Sequence, residues 1–209
     1  YNPNVRQLWR LGSGRTRAPS TVGIMLEGSN IIEGYRNLGY YTLGTGGVRW
    51  FRNDILRSPF DDFLFYGPDD QSSVFAPRKP EDFSLNHQEE ILQRLSDKDK
   101  SFLFVNCLET HVPYDTGESE ITPEVQDILS RGRPIWGCKT PSQERIDVTQ
   151  KELGSLHERQ VAALETIDSK TEALVRNLAK PLLFVMAGDH GECFGEDMMW
   201  GHGYPQEKV

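Results

Sequence analysis

Two short stretches concentrate the side chains able to do chemistry. One is Asn106-Cys107-Leu108-Glu109-Thr110-His111-Val112-Pro113-Tyr114-Asp115; the other is Gly188-Asp189-His190-Gly191-Glu192, followed by Glu196, Asp197 and His202. Asp189 beside His190 sets a hard carboxylate oxygen next to an imidazole nitrogen, a donor pair that suits Zn²⁺ or Mn²⁺. The same pair also serves a plain turn, with Asp189 capping it and His190 satisfied by a backbone carbonyl. Spacing alone leaves both readings open. His111, next to Pro113, is either a ligand-facing or a structural loop histidine. His202 lies between Gly201 and Gly203, where little side-chain bulk permits close approach of a ligand or simply makes a turn. Glu192 can orient His190 or cap the turn that follows. Cys107 or Cys193 could act as a nucleophile only beside a base, and Cys107 precedes the loop apex in a predicted strand.

Each cluster follows an apolar run of strand length, Phe102-Leu103-Phe104-Val105 and Leu182-Leu183-Phe184-Val185-Met186. Continuous apolar runs suit strands buried on both faces, as in a parallel sheet. Ligands in open α/β sheets bind beyond the carboxyl ends of the strands, so both clusters are expected at one rim. Ile31, Ile32, Tyr35 and Leu38 recur at helical spacing, with Gly39 as C-terminal cap. The β-rich Tyr40-Tyr41-Thr42-Leu43 then runs into Gly44-Thr45-Gly46-Gly47. Residues 57–83 read as a long irregular connection, Phe60-Asp61-Asp62-Phe63 included. Ser84 is placed as the cap of a helix carrying Leu85, Ile91, Leu92 and Leu95. Residues 115–149 are polar and proline-bearing. Gln150 to Leu178 is the longest helical pattern, striped by Leu153, Leu156, Val161, Leu164, Ile167, Leu174, Val175 and Leu178, and stopped by Pro181. The alternation predicts an α/β fold, a mainly parallel central sheet with helices on both faces.

The chain's 209 residues suit one domain with a sizeable core. Its net charge of −8 repels a phosphate backbone and weighs against nucleic-acid binding. No apolar run is long enough to span a bilayer. Tyr1-Asn2-Pro3-Asn4 does not read as a signal peptide. Three cysteines, Cys107, Cys138 and Cys193, with no CxxC, make no disulfide framework or cysteine-based zinc site. A reducing compartment, and so a cytoplasmic location, is the expectation. Gly12-Ser13-Gly14 has no third glycine or preceding strand, which excludes a dinucleotide fingerprint. Residues 1–17 read as an irregular segment and 18–209 as the α/β domain.

The two clusters carry a resemblance. FLFVNCLETHVPYD, Phe102 to Asp115, resembles the sulfatase-family segment ending in H-x-P-Y. LLFVMAGDHGECFGEDMMWGHG, Leu182 to Gly203, resembles that family's strand, its D-H-G-E block and a histidine twelve residues after the first. The order of the two and the long helix between them also fit. Ala18-Pro19-Ser20-Thr21, the stretch Asn30 to Gly47, and Phe60-Asp61-Asp62-Phe63 are weaker matches. The likeness covers roughly residues 17–205 and points to the sulfatase-like branch of the alkaline phosphatase superfamily. It implies Asp189 and His190 as ligands of a divalent metal ion (Zn, Mn or Ca). It implies His111 and His202 on the oxygens of a small sulfate or phosphate ester or on its leaving group, with His202 as the catalytic residue.

The sequence departs from that pattern in places. No hydrophobic strand ending in aspartate precedes Ala18. Arg17 stands where the family's nucleophile is expected, with Thr16 and Thr21 out of register, so the nucleophile is unassigned. Gly47 replaces a lysine of the glycine loop, and Arg49 stands where histidine is common. Three explanations remain open. The chain is an incomplete portion of the fold, truncated at both ends. The nucleophile segment is irregular, with Thr16 or another residue serving. Or the protein is a degenerate binding module without turnover. The expected function is a metal-dependent hydrolase of sulfate or phosphate esters, with a phosphotransferase of the same superfamily as the alternative. The missing cysteine and lysine favour phosphate chemistry.

Overall fold

The computed structural model describes residues 30–52, 54–67, 77–118, 120–131, 148–196 and 200–202. Cys138, Asp197 and the segment around Arg17 lie outside them, and with them the expected site of the nucleophile. The described residues open with α1 (Ile31–Asn37), capped by the Asn30 side chain on the Glu33 amide. Gly39, at φ 80°, turns the chain after it. β1 (Tyr41–Gly46) follows, then a 3₁₀ turn (Arg49–Arg52), α2 (Asp54–Arg57) and β2 (Asp62–Phe65). Two further 3₁₀ turns (Pro80–Asp82 and Ser84–Asn86) lead into α3 (Gln88–Leu95) and β3 (Ser101–Asn106). α4 (Pro123–Arg131), α5 (Gln150–Asn177), β4 (Cys193–Phe194) and β5 (Trp200–Gly201) complete the order.

The sheet is parallel, in the order β2-β1-β3. Leu43 faces Asp62 on one side and Leu103 on the other, and Gly46 reaches Asn106 at the end of β3. The two faces are filled differently. On one, Leu43, Leu64, Leu103 and Val105 pack with Leu85, Ile91 and Leu95 from α3 and its approach, and with Ile167 and Leu174 of α5. On the other lies an aromatic layer. Tyr35 of α1 stacks on Phe102 with ring centroids 4.7 Å apart. Phe51 and Phe60 cover Phe63 and Phe104. Helices therefore cover both faces, as the alternation of elements predicts. The aromatic layer fits because β1 offers no side chain at Gly44: a Cβ there would lie 2.4 Å from the Phe63 ring.

Four local expectations are corrected. Residues 62–65, read as part of an irregular connection, form β2; a four-residue strand starting with aspartate carries too little alternation to stand out. α4 lies within the stretch read as merely polar. Ser84 does not cap a helix. It is buried and its Oγ accepts from Thr45 Oγ1 at 3.0 Å, which ties the approach of α3 to β1. The largest correction concerns Leu182–Met186. This run is neither a strand nor buried; Leu183 is 81% and Val185 76% exposed. Strand composition makes a strand only where a neighbour's backbone completes the ladder, and among the described residues none pairs with this run. α5 runs as the pattern predicts, started by Thr149, whose side chain exchanges bonds with Glu152. Its stripe is only partly buried, since Val161 and Leu164 face solvent. Among the described residues, no helix is long and apolar enough to cross a membrane.

A second core stands beside the sheet. Trp200, wholly buried, packs with Phe194, Val112, Tyr114, Ile128, Leu129, Leu153 and Leu156. Each large apolar side chain buried this way stabilises the fold by about 1.5–3 kcal/mol. This core joins α4 and the start of α5 to the loop after β3 and to the β4–β5 ribbon, whose antiparallel register sets Cys193 opposite Gly201 and Phe194 opposite Trp200.

The end of β1 is also a close backbone crossing. A Cβ on Gly47 would lie 2.1 Å from the Tyr66 carbonyl oxygen and 2.9 Å from that of Asp82. Backbone cannot retreat as a flexible side chain can. Gly47→Ala is therefore expected to destabilise the protein by about 1–3 kcal/mol in chemical denaturation. Gly34→Ala, on α1 with open space around the added methyl, should be neutral or stabilising by up to about 1 kcal/mol. Equal stabilities for the two variants would contradict the crossing at Gly47.

Candidate functional site

The loop after β3 carries His111, and a buried arginine fixes its shape. Arg78 Nη1 donates to the carbonyls of Leu108 (3.0 Å) and His111 (3.2 Å), and Nη2 to that of Val112 (2.5 Å). The Arg78 amide donates to Asp115 Oδ2 at 3.0 Å, and Asp115 Oδ1 accepts from the Gly117 amide. Asp115, buried, is therefore spent on the loop and is not a ligand. Burial draws the guanidinium down to about 10, against the pull of Asp115, Glu109 and Asp82, so it stays charged at neutral pH. Glu109, wholly buried at the start of the turn, is held above the ordinary carboxyl range by burial, despite Lys170 and Arg78. Burial pushes the Cys107 thiol up to about 12, with Glu109 adding to the effect. A thiol so protonated is no nucleophile.

Tyr114 closes this loop at φ 58°, a left-handed conformation uncommon for an aromatic residue. Its ring is buried against Phe194, and its hydroxyl donates to Glu192 Oε1 at 2.8 Å. The other carboxylate oxygen, Oε2, accepts from His202 Nδ1 at 2.7 Å. The ribbon explains this meeting. Glu192 immediately precedes β4 and His202 immediately follows β5, so continuing the register beyond Cys193 and Gly201 sets the two side by side.

Three imidazoles converge here. The rings of His190 and His202 have centroids 4.0 Å apart, and those of His111 and His202 5.7 Å. The Nδ1 of each is engaged: His111 on the Val112 carbonyl at 2.9 Å, His190 on the Gly191 carbonyl at 2.8 Å, and His202 on Glu192. A carbonyl only accepts, so Nδ1 carries the proton in His111 and His190, and Nε2 keeps its lone pair in the neutral ring. Burial holds His111 below the ordinary imidazole range, and the Arg78 charge adds to this.

The site residues read from the sequence do meet, though by a different route. His111 follows a sheet strand as expected. Asp189 and His190 follow the exposed 182–186 run instead of a second strand, and they meet His111 through His202 and the ribbon. Asp189 is exposed, and its Oδ1 stands 3.7 Å from His190 Nε2, the nitrogen left unengaged. Two donors about 2.1 Å from one ion can stand that far apart. A carboxylate oxygen and an imidazole nitrogen fit Zn²⁺ or Mn²⁺ better than Ca²⁺, which prefers oxygen throughout. His190, Glu192 and His202 also lie close enough to form a three-donor group. Its shortest contact, however, is the Glu192–His202 hydrogen bond, and His190 Nδ1, 3.9 Å from Glu192 Oε2, is already engaged by Gly191. Asp189 Oδ1 and His190 Nε2 could hold a cation between them, whereas Glu192 serves as a hydrogen-bond acceptor.

The sequence alone assigns no role to Arg78 or Tyr114, and it leaves Glu192 to orient His190 or to cap the turn that follows. Arg78 sits in a stretch without periodicity, and nothing in its spacing announces three carbonyl acceptors. Tyr114 falls inside the H-x-P-Y segment, so its signal was present without its partner.

A family model described as Sulfatase matches residues 7–209. The chain belongs to the sulfatase family. No curated protein and no solved structure matches it significantly. Against the sulfatase pattern, the missing lysine now has a physical setting: at Gly47 even a Cβ collides with backbone, so no side chain can reach from there. Arg49, where histidine is common, is exposed on the 3₁₀ turn.

Replacing Arg78 with Met removes the guanidinium from three carbonyls and leaves them without their donor. A stability loss of about 3 kcal/mol is expected, with the His111 ring resonances broadened in NMR spectra. An unchanged midpoint of unfolding together with sharp His111 signals would show that the loop holds its shape without Arg78.

Proposed function

We propose that this sulfatase-family chain is a metal-dependent hydrolase of sulfate or phosphate esters, with phosphate esters the better substrates. The observation that carries this reading is the convergence of three imidazoles whose Nδ1 atoms are all engaged, beside a carboxylate 3.7 Å from the free nitrogen of one of them. Asp189 and His190 hold the divalent cation. When bound, that cation withdraws electron density from the ester and stabilises the charge developing in the transition state. His111 and His202 face the substrate through Nε2. A doubly charged oxyanion arriving there favours protonation of Nε2, which then donates to the ester oxygens. His202, on the ribbon, gives its Nε2 proton to the leaving oxygen. The preference for phosphate rests on Gly47 and Arg17, which stand where a sulfatase carries its lysine and its nucleophile. A phosphotransferase uses the same groups with an acceptor other than water.

Two measurements test this reading. Elemental analysis of the purified protein is expected to find a divalent ion, and Asp189→Asn to lose most of it, because an amide oxygen is a poorer ligand than a carboxylate. Metal-free protein with undiminished turnover would end the proposal.

The second is a leaving-group series of aryl and alkyl phosphates, phosphodiesters and sulfates. His202→Ala should slow esters of poor leaving groups by about 10²- to 10⁴-fold and activated aryl esters far less. Equal slowing across the series would make His202 an anion-binding group and not the acid. Binding of phosphate or sulfate without turnover of any ester would make the protein a binding module on the sulfatase fold.

A further inference from the structure

The Glu192 carboxylate stands at the centre of this site without belonging to either the cation pair or the substrate-facing groups. Its side chain is 7% exposed, and that of His202 13%. Both oxygens are engaged: Oε1 takes the Tyr114 hydroxyl at 2.8 Å and Oε2 takes His202 Nδ1 at 2.7 Å. Three elements fix this arrangement independently. Arg78 clamps the turn that ends at Tyr114. The left-handed backbone of Tyr114 turns its ring into the Trp200 core. The ribbon register sets Glu192 beside His202.

An imidazole is symmetrical enough to present either nitrogen to a substrate. A buried acceptor on one nitrogen makes that choice, as second-layer carboxylates do for histidines at metal and catalytic sites. Tyr114 matters because an unanchored carboxylate could rotate away. Its hydroxyl is held protonated by burial and by the Glu192 charge, and so remains a donor.

We propose that Glu192, anchored by the Tyr114 hydroxyl, is the positioning residue of His202: it holds the proton on Nδ1 and turns Nε2 toward the substrate. This rests on the reading of His202 as the group that serves the leaving oxygen. The tautomer of the ring, however, can be read without any turnover.

The experiment is ¹⁵N imidazole NMR of the full chain above the ordinary histidine range of about 6.5, with His202 assigned by the loss of its signals in His202→Gln. The wild type should show His202 protonated on Nδ1. Glu192→Leu should remove that preference, and Glu192→Gln, which keeps an oxygen acceptor, should restore much of it. Tyr114→Phe, which leaves the ring in place, should give a mixture of tautomers; it also serves if Glu192→Leu does not fold. With a poor-leaving-group ester, Glu192→Leu and Tyr114→Phe should lower kcat by about 10- to 100-fold with KM little changed, and bound metal should stay at the wild-type level. A wild-type His202 protonated on Nε2, or a tautomer unmoved by Glu192→Leu and Tyr114→Phe alike, overturns the proposal. So does loss of metal in Glu192→Leu with the tautomer unchanged, which makes Glu192 a ligand instead. If no ester is turned over yet the tautomer responds as stated, the hydrolase reading fails and the positioning role stands.

Discussion

Antiparallel pairing of Cys193–Phe194 with Trp200–Gly201 holds Glu192 and His202 side by side, because the Trp200 indole cannot leave its core without exposing a large apolar surface. That core includes Val112 and Tyr114 from the loop after β3, and Leu153 and Leu156 from the first turns of α5. One buried aromatic thus ties together three segments far apart in the chain. The start of α5 adds a polar tie, Gln150 Nε2 donating to the Phe194 carbonyl at 3.1 Å. The parallel sheet supplies only one member of the site directly, through β3. The rest depends on this second core, which explains how the site forms although the 182–186 run adds no strand.

Legibility followed the length and regularity of each pattern. α5 was readable because twenty-eight residues repeat one apolar stripe, and β3 because its apolar run is bounded by Lys100 and Asn106. β2 was not, since four residues cannot establish a period. Leu182–Met186 misled for the opposite reason. Its composition is that of a strand buried on both faces, and composition does not report whether a neighbouring ladder is present. Within the site, the histidines and Asp189 were legible as residue types, and their family resemblance grouped them. The pairing of Glu192 with His202 was not, because it depends on a two-residue ribbon that leaves almost no periodic trace. Arg78 was invisible because its partners are backbone carbonyls, which every residue carries.

The glycines after β1 show a constraint of another kind. The sulfatase pattern has a lysine where this chain has Gly47, and exchanging one for the other is not a local matter. The Tyr66 carbonyl lies where the first side-chain carbon would be, and Gly67 is packed against Gly47 in turn. Restoring a lysine would require β1 and the segment after β2 to separate. The loss of an ammonium group and the tight backbone crossing are therefore one structural change.

The two halves of the site also differ in their exposure to water. Asp189 has 86% of its side chain exposed and His190 41%, whereas Glu192 and His202 are at 7% and 13%. Bulk solvent screens any charge interaction made at Asp189. Around Glu192 the screening is weaker and each hydrogen bond holds its geometry more firmly. The backbone leading to Asp189 has no strand partner among the described residues; beyond it, His190 is held by its own bond to Gly191 and by its tilted ring contact with His202. Proton placement is thus built into the rigid, drier half. The Asp189–His190 pair belongs to the wetter half.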